Sequence, residues 1–167
     1  MQPIPFSIKI AQSPSDFELA RVLFREYAES LEIDLCFQNF DRELQTMEQQ
    51  YAAPSGALFL AISGELPVGC TAVRQFEGST AELKRMYVKP AFRGKGISKQ
   101  LLENALEAAQ RLGYTTVRLD TLPSMQEALG LYYSFGFSDI AAYRFNPVPG
   151  SVYLEKDLHE REGGSKG

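Results

Sequence analysis

One stretch of the chain decides the fold: Glu82-Leu83-Lys84-Arg85-Met86-Tyr87-Val88-Lys89-Pro90-Ala91-Phe92-Arg93-Gly94-Lys95-Gly96-Ile97-Ser98. A predicted strand ends at Lys89-Pro90, because proline cannot donate to a strand ladder, and an apolar helical stripe begins after Gly96. The first N–H groups of such a helix lack an intrahelical acceptor, and the helix dipole adds positive charge there. The turn between strand and helix therefore favours an anion, above all a phosphate.

The glycines of this turn allow two interpretations. Gly94 and Gly96 lack a Cβ atom, so a ligand can approach the backbone closely, and Arg93 and Lys95 add positive charge. Alternatively, the glycines serve only to make the turn tight. The segment is not a Walker A loop, because no Ser or Thr follows its lysine, and it lacks the GxGxxG spacing of a dinucleotide site.

Working outward, hydrophobic periodicity and turn residues predict an α/β fold with a mixed sheet and helices on both faces. Strands are predicted at Ser7–Ile10, Ala57–Ser63, Val68–Phe76, Ala81–Val88, Thr116–Thr121, Ala141–Phe145 and Ser151–Glu155. Helices are predicted at Pro14–Leu31, with Ser13 as its N-cap, and at Arg42–Tyr51, Gly96–Leu112 and Met125–Phe135. The hairpin-linked strands should be antiparallel, and the strand–helix–strand unit over residues 81–121 should be parallel.

Length and charge limit the domain organisation and the partners. The 167 residues fit one domain, expected over residues 1–158, and the polar, glycine-rich residues 159–167 are expected to form a disordered tail. A net charge of −4 gives no general basic surface, so we expect no nucleic-acid partner.

The two cysteines and the apolar segments limit the compartment. Cys36 and Cys70 stand far apart without CxxC spacing, so we expect two reduced, buried thiols and no metal site. We find no signal-peptide pattern and no apolar run near the roughly 20 residues that span a bilayer. We therefore expect a cytoplasmic protein without a membrane partner.

Two segments resemble motifs of the GNAT superfamily of acetyl-CoA-dependent N-acetyltransferases. Arg93–Ser98 resembles the pattern (Gln/Arg)-x-x-Gly-x-(Gly/Ala), with Ser98 in place of the small last residue. Ala128–Phe137 is similar to the pattern A-x-x-L-Y-x-x-x-G-F. Both lie in the order of the family, with a predicted strand between them. The resemblance implies a three-layer fold, with a mixed sheet of about seven strands and about four helices.

The resemblance also implies a binding site for acetyl-CoA, used as a co-substrate. The pyrophosphate would lie on the backbone amides of Arg93, Gly94, Lys95, Gly96, Ile97 and Ser98. The pantetheine arm would pair like an added strand with Met86, Tyr87 and Val88. In the family this strand diverges from the next one, here Thr116–Thr121, and the divergence opens the slot.

Glu82 is the candidate general base, because the family often places a catalytic glutamate at this position. An amine attacks a thioester only when neutral, so a proton must leave it. Strict alternation would put Glu82 on one face with Met86 and Val88, unless a bulge intervenes. Alternatively, Glu82 is a solvated carboxylate or a partner of Lys84 or Arg85, and a water relay removes the proton.

Tyr132 is the candidate proton donor to the departing sulfur, because it matches the family's tyrosine at this place. The alternative is a core tyrosine whose hydroxyl is satisfied elsewhere. One departure from the family lies nearby: many members have Asn where this chain has Met125, and Ser124 is one candidate to replace that amide contact.

Two groups of residues are candidates for acceptor contact, and they favour opposite substrates. Carboxylates near the end of the first helix, which would suit a cationic amine, are Glu26, Glu29, Glu32 and Asp34. They could equally form a solvated helix face. Tyr143 and Arg144 could instead bind a carboxylate, such as that of an amino acid. The sequence does not decide between them.

Together these features predict an enzyme that moves an acetyl group from acetyl-CoA to the primary amine of a small molecule or amino acid, by direct attack in a ternary complex. The alternatives are a non-catalytic acetyl-CoA-binding regulatory module and an acetyltransferase of protein lysines or N-termini. The presence of both Glu82 and Tyr132 favours the enzyme. The resemblance also suggests a homodimer, although no residue identifies an interface.

Overall fold

Seven strands form one mixed sheet in the computed structural model, which describes residues 5–31, 39–144, 146 and 148–159. The strands are β1 (Ser7–Ile10), β2 (Ala57–Ser63), β3 (Leu66–Glu77), β4 (Thr80–Val88), β5 (Thr116–Thr121), β6 (Ser138–Asp139) and β7 (Val152–Asp157). Their spatial order is β1-β2-β3-β4-β5-β7-β6. Only the β4–β5 pair is parallel among these strands, as predicted for the two ends of a strand–helix–strand unit.

Helices cover both faces of this sheet, which confirms the predicted three-layer fold. The helices are α1 (Pro14–Leu31), α2 (Phe40–Gln45), α3 (Met47–Gln50), α4 (Ile97–Arg111) and α5 (Gln126–Ser134). Side chains of α1, α2 and α3 pack with one face of the sheet, and those of α4 and α5 pack with the other. The apolar stripe of α4 lies in the second core, where each large side chain contributes about 1.5–3 kcal/mol by leaving water.

Two predicted elements differ from the structure. The predicted helix Arg42–Tyr51 is two short helices, because the chain leaves helical geometry at Thr46, whose φ is −117° and ψ 25°. The predicted strand Ala141–Phe145 is wrong over its described residues: the strand before β7 is Ser138–Asp139, and Phe145 lies outside the described residues. The half-buried side chains of Tyr143 and Arg144 bond to Glu82 instead of lying in a strand, and Ala141 and Ala142 are exposed.

The sheet opens between its two parallel strands. β4 pairs with β5 only at Thr80–Glu82, opposite Thr116–Arg118. Beyond Glu82, β4 stays paired with β3 while β5 pairs with β7, so the two strands diverge. This divergence leaves the second half of β4 with one free edge that faces a cleft.

A reciprocal cap begins α1. The N–H of Asp16 donates to Ser13 Oγ (3.1 Å), and the N–H of Ser13 donates to Asp16 Oδ2 (3.2 Å). The backbone hydrogen bond from Gln12, aided by Ser13 and Lys9, outweighs burial and lowers the pKa of Asp16 from 3.8 to about 2. The predicted Ser13 cap is therefore present, and Asp16 completes it.

Replacing Asp16 by Asn should lower the free energy of unfolding by about 2 kcal/mol at pH 7. Because the folded pKa lies below the unfolded one, this stabilisation is present above pH 4 and is lost as the pH falls toward 2. The difference in the free energy of unfolding between wild type and variant, measured by urea denaturation, should therefore shrink by roughly half at pH 3. Asp41→Asn, an exposed residue in the first turn of α2, is the control. An Asp16→Asn difference that stays constant down to pH 3 contradicts the prediction.

Several expectations concern residues that the structure describes only in part. Cys70 is buried, as expected, and Cys36 lies outside the described residues. Residues 160–167 of the expected tail are also outside, so the domain boundary stays a prediction. In the described part of the chain, no helix has the length and apolarity to cross a bilayer.

Candidate active site

A β-bulge in β4 changes which residues share a face. The register with β3 passes from Cys70↔Tyr87 to Ala72↔Lys84, and Arg85 adopts a φ of 61°. Ala81 and Leu83 lie in the α4–α5 core, so Glu82 between them points to the α1–α3 face. After the bulge, Met86 and Val88 contact the α4–α5 core while Tyr87 packs on the α1–α3 side. The expectation that Glu82, Met86 and Val88 share one face is therefore wrong.

A buried ion pair stabilises this bulge. Arg85 donates from Nη2 to Glu43 Oε1 (2.6 Å) and from Nε to Glu43 Oε2 (3.1 Å). The hydroxyl of Tyr51 donates to Glu43 Oε2 (2.7 Å), and the guanidinium of Arg85 lies over the Phe40 ring. Burial alone would raise the pKa of Glu43, but Arg85 outweighs it and the net shift is downward. The pair offsets a left-handed backbone conformation that costs a non-glycine residue about 1–2 kcal/mol.

Replacing Glu43 by Gln should lower the free energy of unfolding by about 3–5 kcal/mol, because it leaves the charge of Arg85 buried without its partner. Chemical denaturation measures this loss. Glu48→Gln is the matched control: Glu48 pairs with Arg21 but is 42% exposed, so its loss should stay below about 1 kcal/mol. Equal losses in the two variants would show that the Glu43 pair contributes no more than a surface contact.

The glycine turn has the geometry that the sequence predicts. Gly94 and Gly96 have φ values of 76° and 84°, a region that glycine enters without steric cost. α4 begins at Ile97, and its first backbone bond runs from the N–H of Gln100 to the carbonyl of Gly96 (3.3 Å). The N–H groups of residues 97–99 therefore lack acceptors within the helix.

A groove of about 540 Å³ runs from this turn along β4, a volume typical of small-molecule sites. Predicted cofactor-binding residues that line it are Met86, Tyr87, Val88, Arg93, Gly94, Gly96, Ile97 and Ser98. Lys95 is exposed and is not among its lining residues. Ser124 and Met125, where the chain departs from the family pattern, form part of the opposite wall with residues of α5.

Arg93 joins the turn to the strand. It donates from Nε to the carbonyl of Val88 (2.8 Å), and its guanidinium lies over the ring of Tyr87. The hydroxyl of Tyr87 in turn donates to Glu26 Oε2 (2.6 Å). The other oxygen of Glu26, Oε1, accepts from Lys89 Nζ (2.7 Å). These contacts fix the edge of β4 relative to the turn.

A smaller cavity of about 50 Å³ lies between the diverging strands, beside Met86 and Tyr27, which also line the groove. Tyr132 of α5 reaches it and is buried, yet its hydroxyl takes part in none of the hydrogen bonds formed among the described residues. Burial above all raises the pKa of this phenol. It therefore stays protonated at neutral pH and can donate a proton inside the cavity.

Glu82 is fully buried and lies among cations. Its Oε1 accepts from Arg74 Nη2 (3.2 Å) and Nε (3.4 Å), and its Oε2 accepts from the Tyr143 hydroxyl (3.0 Å) and from Arg144 Nη2. Burial would raise the pKa of Glu82, but Lys84, Arg144 and Arg74 outweigh it and the net shift is downward. Glu82 is absent from the lining residues of both cavities. Its role as the base stays a prediction.

The predicted acceptor residues Tyr143 and Arg144 belong to an aromatic and cationic cluster. The guanidinium groups of Arg118 and Arg144 both lie over the rings of Phe76 and Tyr143, 5.3–6.0 Å from the ring centres. Arg118 donates from Nε to Glu155 Oε1 (2.8 Å), and the Tyr153 hydroxyl donates to the carbonyl of Arg144 (2.8 Å). Three strands and one loop thus contribute to a single cluster.

The described members of the predicted acidic group, Glu26 and Glu29, line neither cavity. Glu29 is exposed on α1. Glu26 is bonded to Tyr87 and Lys89, and Glu32 and Asp34 lie outside the described residues. Among the residues that the structure describes, no group of three or more His, Cys, Asp or Glu side chains is placed to hold a metal ion.

Comparison with known proteins identifies this architecture. A sequence model of the Acetyltransferase (GNAT) family matches residues 21–137. The chain belongs to the GNAT family. An uncharacterized N-acetyltransferase of Schizosaccharomyces pombe is 35% identical to this acetyltransferase over 160 residues, which are 95% of this chain and 98% of the relative. The N-acetylaspartate synthetase of Rattus norvegicus is 38% identical over 110 residues, which are 65% of this chain and 37% of that protein.

Solved structures share the fold of this acetyltransferase. A GNAT-family acetyltransferase from Staphylococcus aureus superposes with a TM-score of 0.76 at 20% identity, over 92% of this chain and 99% of that one. The structure of yncA from Salmonella typhimurium, solved with its cofactor acetyl-CoA, superposes with a TM-score of 0.70 at 19% identity, over 93% and 95% of the two chains.

Sequence reasoning missed several residues of the acetyltransferase site. Lys84, Asp120 and Asn146 line the small cavity, and Phe76 and Arg118 belong to the arginine cluster. Burial, helped by the charge of Arg85, lowers the pKa of Lys84 to about 8. The available signal for Asp120 was its alternation with apolar residues along β5. Alternation shows that Asp120 points away from the core, but it does not show what Asp120 faces.

Proposed function

We propose that this acetyltransferase transfers the acetyl group of acetyl-CoA to the primary amine of a small molecule or amino acid, which attacks directly in a ternary complex. The supporting observation is that two cavities adjoin. The groove follows β4 from the free amides of the glycine turn, and it shares Tyr27, Met86, Met125 and Ala128 with the small cavity that Tyr132 lines. An elongated phosphorylated thioester fits such an arrangement.

The residues along the groove fit acetyl-CoA. The N–H groups at the start of α4 and the side chain of Arg93 would hold its pyrophosphate, since both carry positive charge. The edge of Met86, Tyr87 and Val88 that does not pair with β5 would hold the pantetheine amides. When bound, acetyl-CoA supplies an activated acyl group that a neutral amine can attack.

The acceptor carries a carboxylate, and the arginine cluster binds it. Among the described residues, Arg144 uses one side-chain N–H, toward Glu82, and Arg118 uses one, toward Glu155. Their remaining donors are available for bidentate pairing with a carboxylate. The name of the relative N-acetylaspartate synthetase denotes an acetylated amino acid, which agrees with this substrate class. The exposed Glu29 gives the alternative cationic site no support.

Thiol release from acetyl-CoA, measured across a panel of amino acids and their amides, should be fastest with the free amino acids. Arg144→Gln should raise the KM for the carboxylate-bearing acceptor by about 10-fold or more and change the KM for its amide little. Arg111→Gln, on an exposed arginine of α4, is the matched control. Equal rates of thiol release with amino acids and with their amides would contradict the proposal that the acceptor binds through a carboxylate. Activity only with peptides would instead indicate a protein acetyltransferase.

Tyr132→Phe should lower kcat by about 10²-fold, because it removes the proton donor to the departing thiolate. Calorimetric affinity for acetyl-CoA should be unchanged. Tyr133→Phe is the matched control, because that exposed neighbour donates to Asp139 (2.6 Å) away from the cavities. A Tyr132→Phe enzyme with full turnover, or one that loses affinity and turnover equally, would exclude the donor role. A wild-type protein that binds acetyl-CoA but releases no thiol with any acceptor would indicate a regulatory module.

A further inference from the structure

Asp120 lies on the part of β5 that has separated from β4. Their pairing ends at Glu82 and Arg118, two residues before Asp120. Val117 and Leu119 are buried in the α4–α5 core, so Asp120 points to the opposite side of the sheet. It lines the small cavity between the diverging strands, which Tyr132 lines from the α4–α5 side. The divergence of the strands thus exposes a carboxylate to the place where acyl transfer would occur.

The carboxylate of Asp120 retains capacity to accept hydrogen bonds. Its Oδ2 accepts from Asn146 Nδ2 (3.2 Å), whereas none of the hydrogen bonds among the described residues uses Oδ1. The side chain is half-buried. Burial is the largest cause of the raised pKa of Tyr132, and the electrostatic interactions with Tyr27 and Asp120 raise this pKa further. Asp120 is therefore close enough to act electrostatically on the candidate proton donor.

Glu82 offers no comparable freedom. Both of its oxygens accept hydrogen bonds from Arg74, Tyr143 and Arg144, and it is completely buried. An ammonium ion could approach it only after one of these partners had left. The contacts of Glu82 join β3 and β4 to the loop that carries Tyr143 and Arg144. Glu82 therefore acts as a positioning residue in this inference.

From this placement we infer that Asp120 binds the ammonium group of the acceptor and accepts its proton, so that the neutral nitrogen can attack. The inference rests on the proposed function. Lys84 and Arg85 of β4 line the same cavity as Asp120. Asn146 orients the carboxylate through Oδ2 and leaves Oδ1 for the amine.

The proposed transfer is balanced. The ammonium ion gives one proton to the carboxylate of Asp120, and the neutral nitrogen forms the N–C bond to the acetyl carbon. The C–S bond breaks, and its electron pair leaves with sulfur. Tyr132 gives its proton to that sulfur, and the second proton of the former ammonium, released as the amide forms, restores the phenol through water. No oxidant, reductant or metal is needed.

The test compares Asp120→Asn with wild type on two acceptors of different basicity. The first is the best amino acid from the panel, and the second is its hydrazino analogue, whose attacking nitrogen is already largely neutral at pH 7.5. Asp120→Asn should lower kcat/KM for the amino acid by about 10²-fold and for the hydrazino analogue by less than about 10-fold. Calorimetric affinity for acetyl-CoA and the thermal midpoint should match wild type.

Two further variants make the test selective. Asn146→Ala removes the hydrogen-bond partner and keeps the carboxylate, so its loss should stay below about 10-fold for both acceptors. Glu82→Gln should lower both rates by the same factor, as expected of a positioning residue. If asparagine at position 120 lowers the thermal midpoint, Asp120→Ser is measured in the same way.

Three outcomes would overturn the inference. In the first, Asp120→Asn retains wild-type rates. In the second, Asp120→Asn loses equal factors on both acceptors, which would mean that Asp120 only shapes the cavity. In the third, Glu82→Gln shows the acceptor-dependent loss, which would make Glu82 the base. A wild-type protein without thiol release would overturn the proposed function together with this inference, so the two failures are distinguishable.

Discussion

The bidentate ion pair between Arg85 and Glu43 is the contact on which the site depends. It holds a non-glycine residue in left-handed backbone geometry in the middle of β4, and so stabilises the bulge that shifts the register with β3. Because of this bulge Met86 and Val88 contact one core while Tyr87 contacts the other. Where β4 and β5 have separated, β4 presents its edge to the groove rather than to β5.

The charged residues of β4 divide into two kinds. Glu82 and Arg85 form ion pairs with residues of other elements, which join the strand to the helix α2 and to the loop that carries Tyr143 and Arg144. Lys84 faces the cavity, where burial lowers its pKa to about 8. Buried charges contribute little net stability when paired, but they specify one arrangement, because every alternative leaves a charge unsatisfied. A site that aligns two substrates benefits from such specificity.

The sequence predicted the local elements well where periodicity was strong. The apolar stripe of α4, the Ser13 cap of α1 and the glycine turn were all read from short segments, because their causes are local. The run Ala141–Phe145 misled the prediction. Its apolar and aromatic residues resemble a strand, but the side chains of Tyr143 and Arg144 bond to Glu82 instead of lying in a ladder. A propensity for extended structure does not say whether a partner strand is present.

The sequence by itself determined most of the elements, the glycine turn and the family resemblance, because each follows from neighbours within a few residues. Only the tertiary structure decided which carboxylate faces the cavity. Glu82 and Asp120 each lie on a strand beside apolar neighbours, and both point to the α1–α3 side. They differ in what surrounds them: Arg74, Tyr143 and Arg144 converge on Glu82, whereas Asp120 lies where β4 has moved away. Those partners are up to 62 residues distant along the chain, a separation that no local pattern encodes.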